Sequence, residues 1–344
     1  MRHSLELVLP RWRFPSDGLR RIGTLWLLSL LIMAPAPFSP QAAPTGAFPE
    51  RLIKIVVPFP AGGPTDVAAR LIGQALSSQV GQSVVVENLA GAGGRIGAKA
   101  TANAAPDGYT LLLGGTNVNA IIGALYKNPG FDPIDSFAPV AAICVDSMAL
   151  AVSPHVPADT VEELVAYAKK NPGKLTYGAP PGIYTHLAGE FFKVKTGTDI
   201  LFVPYKGAAP AITDLLGGHI DMVFNTKSTL LAHIKEGRLK ALAVTSKARW
   251  PELPSTPTMS ESGVTGFPTE VWFGLLAPAG TPAPVIGKLN NAVNHSLDAV
   301  EVRTSLAKLG MEARKGTPQD FAAALAEQVR EWKAVVEATG ISVE

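Results

Sequence analysis

The 344-residue sequence has a single cysteine, Cys144. That excludes a disulfide framework and any cysteine-built zinc or iron–sulfur centre. Cys144 sits in an apolar stretch and reads as a small buried hydrophobe. Charge is also scarce: Asp, Glu, Lys and Arg make up 17% of the chain, against ~25% in typical soluble proteins. No basic stripe interleaved with aromatics is present, which argues against nucleic acid as a partner. The usual catalytic signatures are missing. There is no G-x-S-x-G elbow, no H-E-x-x-H pair and no calcium-loop pattern. His155, His186, His219, His233 and His295 are dispersed, with no pair at i, i+4. No apolar run reaches the ~20 residues that a membrane-spanning helix needs. No internal repeat or low-complexity tract is visible.

What is present begins with a targeting pattern. Arg11, Arg13, Arg20 and Arg21 precede an apolar run of 12 residues, 22–33, and then a small-residue, Pro-rich stretch around Ala42 and Ala43. This order is that of a secretory signal peptide, with cleavage expected near Ala42 and a periplasmic product. Removing residues 1–42 takes away Arg2, Arg11, Arg13, Arg20, Arg21, Glu6 and Asp17, and turns a net charge of +2 into −1. No cysteine lies directly after the apolar run, so a lipid anchor has no expected attachment point. An exported chain is also a poor home for a cytosolic nucleotide cofactor. No cofactor and no metal are expected.

From residue 50 onward, β-branched runs alternate with segments of helical periodicity. Strands are expected at 52–59, 83–88 and 110–115, with helices at 65–80 and 94–104. The rhythm continues with strands at 148–153, 174–179, 200–205, 220–224 and 240–246. Helices lie between them, one opened by a Thr160–Glu163 capping box. A Pro/Ser/Thr-rich break at 248–268 precedes a strand at 269–278, a helix with Pro in its first turn, and a closing helix at 320–340. This is an α/β protein. Two α/β blocks joined by crossing strands fit the alternation, and so does one large sheet.

Four strand–loop–helix junctions carry the chemical interest. In PFPAGGPTD (58–66), Ala61, Gly62 and Gly63 clear space before a helix whose N-terminus suits an anion. Thr65 adds a hydroxyl, while Asp66 reads as structural. AGAGGRIG (90–97) has Ile96 where a dinucleotide fingerprint needs its third glycine, so it reads as close packing or a turn. In YGAPPGIYTHLAGE (177–190), Gly182, Tyr184, Thr185 and His186 stand at another helix start. His186 alone reads more as a packing residue than as a ligand contact. In VPYKGAAPA (203–211), Tyr205 offers a ring and Lys206 a cation, against plain core and solvated surface as the alternatives.

Together with blocks such as KIVVPFPAGGPTDVAARLIG, VVVENLAGAGGRIGAKA, VPYKGAAPAITDLLGGHIDMVF and FGLLAPAGTPAPVIGKLN, these junctions resemble the Bug family. Its members are periplasmic solute-binding receptors of tripartite tricarboxylate transport. The similarity runs from about residue 50 to the C-terminus. It implies a two-lobe, Venus-flytrap α/β binding protein of type II-like architecture with hinge strands. It also implies a carboxylate held by backbone N–H groups on loops of both lobes. By position, Phe59, Ala61, Gly62, Gly63 and Thr65 fall on the lobe-one loop. Gly182, Tyr184, Thr185, His186, Tyr205, Lys206 and Asn225 fall on the lobe-two side. The expected division is a signal at 1–42, lobe one at 43–147, lobe two at 148–270, and a return to lobe one at 271–344.

Two departures from the family pattern bear on ligand choice. The family usually has a Ser/Gly-rich loop where this chain reads APPGIY (179–184). Pro180 and Pro181 remove backbone donors, and Ile183 and Tyr184 add bulk. Where the family often has F-D-N, this chain has Asn225 after Phe224, which removes a negative charge. Both favour a ligand with an apolar or aromatic body. The resemblance implies a monomeric receptor, not an enzyme, that binds a small organic acid and meets transporter subunits transiently. The competing readings are an exported enzyme acting on such an acid and a receptor feeding a membrane sensor kinase.

Overall fold

A computed structural model describes residues 48–341, so the expected signal segment lies outside the described residues. The chain opens with β1 (Ile53–Val57), α1 (Pro64–Val80), β2 (Val84–Asn88), α2 (Arg95–Ala102) and β3 (Thr110–Gly115). A π-helical turn, Thr116–Ile121, runs into the short α3 (Ile122–Leu125). Then come β4 (Phe137–Asp146), β5 (Met148–Val152), α4 (Val161–Lys170), β6 (Thr176–Ala179) and α5 (Tyr184–Thr196). After them follow β7 (Leu201–Pro204), α6 (Ala208–Leu216), β8 (Met222–Thr226), α7 (Lys227–Lys235) and β9 (Lys240–Val244). The last elements are β10 (Val271–Pro278), α8 (Ala283–Asp298), α9 (Val300–Lys308), β11 (Glu312–Ala313) and α10 (Pro318–Thr339).

Among the described residues these strands form two mixed sheets, not one. Sheet A has six strands in the order β11-β4-β10-β3-β1-β2, and sheet B five in the order β7-β6-β8-β5-β9. Strands followed by helices pair in parallel: β1 with β2 and β3, and β6 with β7 and β8. The strands that carry the chain between sheets run antiparallel: β10 against β3 and β4, and β5 against β8 and β9. The chain crosses from sheet A to sheet B at residues 146–148 and returns after β9.

Both sheets are covered on both faces. On one face of sheet A, Ile53, Ile55, Val57, Leu111 and Leu113 pack with Ala68, Ala69, Ile72 and Leu76 of α1. On the other, Val56, Leu112 and Leu276 pack with Ala98 of α2 and with Phe321 and Leu325 of α10. Burial on both faces is why these strands read as continuous apolar runs. In sheet B, Leu150, Tyr177 and Phe224 join Phe192 of α5 on one face. Ala149, Ala151 and Val223 meet Leu215 of α6 and Leu230 of α7 on the other. Gly274 of β10 makes room for α10, because a Cβ there would stand 2.2 Å from the Phe321 ring.

Helix ends follow local chemistry. α1 starts with Pro64 in its first turn and stops at Gly81, whose φ of 70° is left-handed. At α4 the Thr160 hydroxyl accepts from the Glu163 amide, as the spacing predicts. The Glu163 carboxylate, however, accepts from the Asp159 amide one residue upstream of the cap. A complete reciprocal box forms at α10 instead, between Thr317 and Asp320.

Candidate ligand-binding site

The loops after β1, β2, β6 and β7 converge on one cavity of about 700 Å³. Two loops come from sheet A and two from sheet B, so the cavity lies between the sheets at the C-terminal ends of parallel strands. That is where open α/β sheets hold ligands. Its size is that of an ordinary small-molecule site.

Three helices begin on the cavity wall. Gly63, Pro64 and Thr65 open α1; Ile183 and Tyr184 open α5; Gly207 and Ala208 open α6. In none of these three does the residue at the cap position cap its own helix, unlike α4 and α10, although at α5 Asn117 Oδ1 takes the Tyr184 amide. Such N-termini leave N–H groups and the positive end of the helix dipole facing the enclosed space. Lys206, exposed at the mouth, is the one charged side chain among the lining residues, and no carboxylate lines the wall. Such a wall attracts an anion.

Asp66, at the start of α1, is turned away from this role. Its carboxylate accepts from the Gly62 amide at 3.0 Å, from Arg70 Nε at 3.0 Å and from Asn88 Nδ2 at 2.9 Å. Burial pushes its pKa up, but the bonds from Arg70, Gly62 and Asn88 outweigh that and hold it below the ordinary carboxylate range. The charge is thus neutralised behind the loop.

Of the residues singled out by sequence, the structure brings Phe59, Ala61, Gly63, Thr65, Tyr184, Tyr205 and Lys206 to the wall. It does not place Gly62, Gly182, Thr185, His186 or Asn225 there. Gly62 (φ 83°) faces open space and gives its amide to Asp66. Gly182 gives its amide to His186 Nδ1 at 3.3 Å. The His186 ring packs between aromatic neighbours, 4.2 Å from Phe202 and 6.4 Å from Tyr177. Burial lowers its pKa, which favours the neutral ring, and its contacts are those of a packing residue. Thr185 is buried, and its hydroxyl has no hydrogen-bond partner among the described residues. Asn225 is buried on β8, and its side-chain oxygen accepts from the Thr226 amide.

Other wall residues were not among the expected ligand contacts. Residues 90–94, read as close packing or a turn, line the cavity. Gly91, Gly93 and Gly94 have φ of 133°, 66° and 99°, and Ala92 joins them at 50°. A Cβ on Gly94 would meet the Phe59 ring at 3.0 Å, so the glycine lets this loop press on Phe59. Asn117, from the π-helical turn, reaches across to sheet B, where its Oδ1 accepts from the Tyr184 amide at 3.1 Å. The signal for it was Gly114-Gly115 at the end of a strand, followed by TNVN; at Gly115 a Cβ would stand 2.0 Å from the Trp272 carbonyl oxygen. π-helical turns often mark functional sites.

The family described as tripartite tricarboxylate transporter family receptor matches residues 68–341. The chain belongs to that family. Protein BugT of Bordetella pertussis is 37% identical over 303 residues, covering 87% of this chain and 93% of that protein. Among solved structures, Rpa4515 of R. palustris with adipate aligns with a TM-score of 0.81 at 36% identity, over 86% of this chain and 99% of that one. MatC from Rhodopseudomonas palustris with bound malate aligns at 0.80 and 33% identity, over 84% and 100%. The tripartite tricarboxylate receptors are binding proteins, not enzymes, and the fold is that of periplasmic binding proteins. Among the described residues there is no group of three His, Cys, Asp or Glu side chains able to hold a metal. No described helix is long and apolar enough to cross a membrane.

Proposed function

We propose that this protein is an exported receptor that captures a small organic acid between its two sheets and delivers it to a tripartite tricarboxylate-type membrane transporter. One observation carries the reading. Three helix N-termini, from both sheets and without caps from their own N-cap residues, open on a single cavity whose wall has one cation and no carboxylate. Helix N-termini of this kind hold carboxylates through backbone N–H groups. The relatives solved with adipate and with malate support a carboxylate as the ligand class. The division into lobes follows the two crossings, with 148–270 as the second lobe and 271–344 returning to the first. The secretory pattern of residues 1–42 supplies the route to the periplasm, with cleavage near Ala42. Delivery requires only a transient encounter between a monomeric receptor and its transporter.

The test is a thermal-shift screen of the purified protein against a panel of organic acids. A ligand at 100 times its Kd adds about 2.7 kcal/mol to stability. At least one acid is expected to raise Tm by several degrees without being consumed. If no acid shifts Tm, the reading fails; if an acid is converted to product, the enzyme reading replaces it.

A further inference from the structure

A carboxylate ligand can carry many kinds of body, and the cavity wall narrows the choice. Its volume of about 700 Å³ would hold on the order of twenty waters. A four-carbon diacid leaves most of that space unfilled. Seven of the lining residues are prolines, contributed by all three helix-start loops and by the strand end before Tyr205. Each proline lacks an N–H and carries an apolar ring. The loop before α5, where hydroxyl-rich ligands would need donors, presents Pro180, Pro181 and Ile183 instead.

The remaining donors are few. Pro64 occupies the first turn of α1, and Pro210 that of α6. The Tyr184 amide, at the start of α5, is already bonded to Asn117. The Tyr205 hydroxyl is engaged too, donating to Asp214 at 2.6 Å. Burial and that bond push its pKa up to about 12, so the hydroxyl stays protonated and committed. What Tyr205 offers the cavity is its ring. Phe59, from the sheet A side, offers another. Aromatic rings from opposite sheets with prolines between them suit an apolar, ring-bearing ligand, with the starts of α1 and α6 left for its carboxylate.

We propose that the ligand is an aromatic carboxylate, held with its ring against Phe59, Tyr205 and the proline wall, and its acid group at the helix N-termini. This rests on the receptor reading above and deepens it.

Isothermal calorimetry decides between classes, using 4-hydroxybenzoate, phenylacetate and terephthalate against malate, citrate and adipate. At least one aromatic acid is expected to bind ten times or more tightly than every aliphatic one. Tyr205→Leu, which keeps bulk but removes the ring, is expected to cut that preference at least fivefold. Pro180→Ser with Pro181→Ser, which restores donors, is expected to improve malate or citrate relative to the aromatic acid. Circular dichroism of each variant checks the fold. Tighter binding of malate, citrate or adipate than of all three aromatic acids overturns the ring-bodied ligand and leaves the receptor intact. An unchanged preference in Tyr205→Leu overturns the assigned wall. Binding of no acid from either class overturns the receptor reading itself.

Discussion

Thr185 illustrates how a residue can matter without touching the cavity. Its hydroxyl is buried at the start of α5 with no hydrogen-bond partner among the described residues. An unsatisfied buried hydroxyl costs about 1–3 kcal/mol. Thr185→Val keeps the shape and removes the orphan. It is therefore expected to raise the stability of the ligand-free protein by about 1 kcal/mol, read from urea denaturation. A loss of stability would mean that the hydroxyl has a partner after all. Asn117 is the opposite case, since its side chain ties the two sheets together through the Tyr184 amide. Asn117→Ala removes one neutral hydrogen bond, worth about 1 kcal/mol. Affinity for the bound acid is expected to fall about fivefold, with the far-UV spectrum unchanged. Gly62 resists substitution for a third reason. A Cβ there meets nothing within 4 Å, so the strain of φ 83°, not a blocked cavity, penalises a side chain.

The crossing from β4 to β5 shows an element-scale effect. Asp146 ends β4 fully buried, accepting from the Ser147 amide at 2.8 Å and the Ser228 amide at 3.3 Å. Burial lifts its pKa from 3.8 to about 7, and the Ser228 and Ser147 bonds and nearby Lys227 only partly oppose this. Between those values the folded chain keeps a proton that the unfolded chain has lost. Stability therefore declines as pH rises from about 4 to about 7, and the decline is complete above that. Asp146→Asn is expected to flatten this part of the profile, measured by urea midpoints at pH 5 and pH 8. An unaltered slope would remove Asp146 from the account. β4 also marks where elements were illegible in the sequence. FAPVAAICVD has neither the alternation of a half-buried strand nor a dense β-branched run, because small residues fill a position between β10 and β11. The runs around LIKIVV and TLLLGG were legible because branched side chains fill both faces of sheet A. The π-helical turn holding Asn117 has no periodic signature, so its role emerged only from tertiary contact. For the same reason residues 90–94 read as close packing or a turn, although they form part of the wall.

At the scale of the whole molecule, the alternation alone fitted one large sheet almost as well as two. The choice depends on which strands pair, and pairing is non-local. The cavity follows from it, because its walls are four loops brought together by two separate sheets. Strand–glycine–helix junctions marked the loops after β1, β6 and β7, since the need for small residues at a tight helix start is local. Which side chains face inward is set by packing, and that moved Thr185, His186 and Asn225 behind the wall. Sheet B is made of one unbroken stretch, from β5 to β9, whereas sheet A is made of two. In sheet A, β10 lies between β3 and β4, which have no other route to one another. A nascent chain can therefore complete sheet B early, but it cannot close sheet A until about residue 278 has been made. Chains truncated before Val271 are expected to leave β1–β4 open to limited proteolysis, while full-length chains resist. The late arrival of β10 acts as a timer: the leading half of the chain stays unlocked until about four-fifths of the sequence has been made.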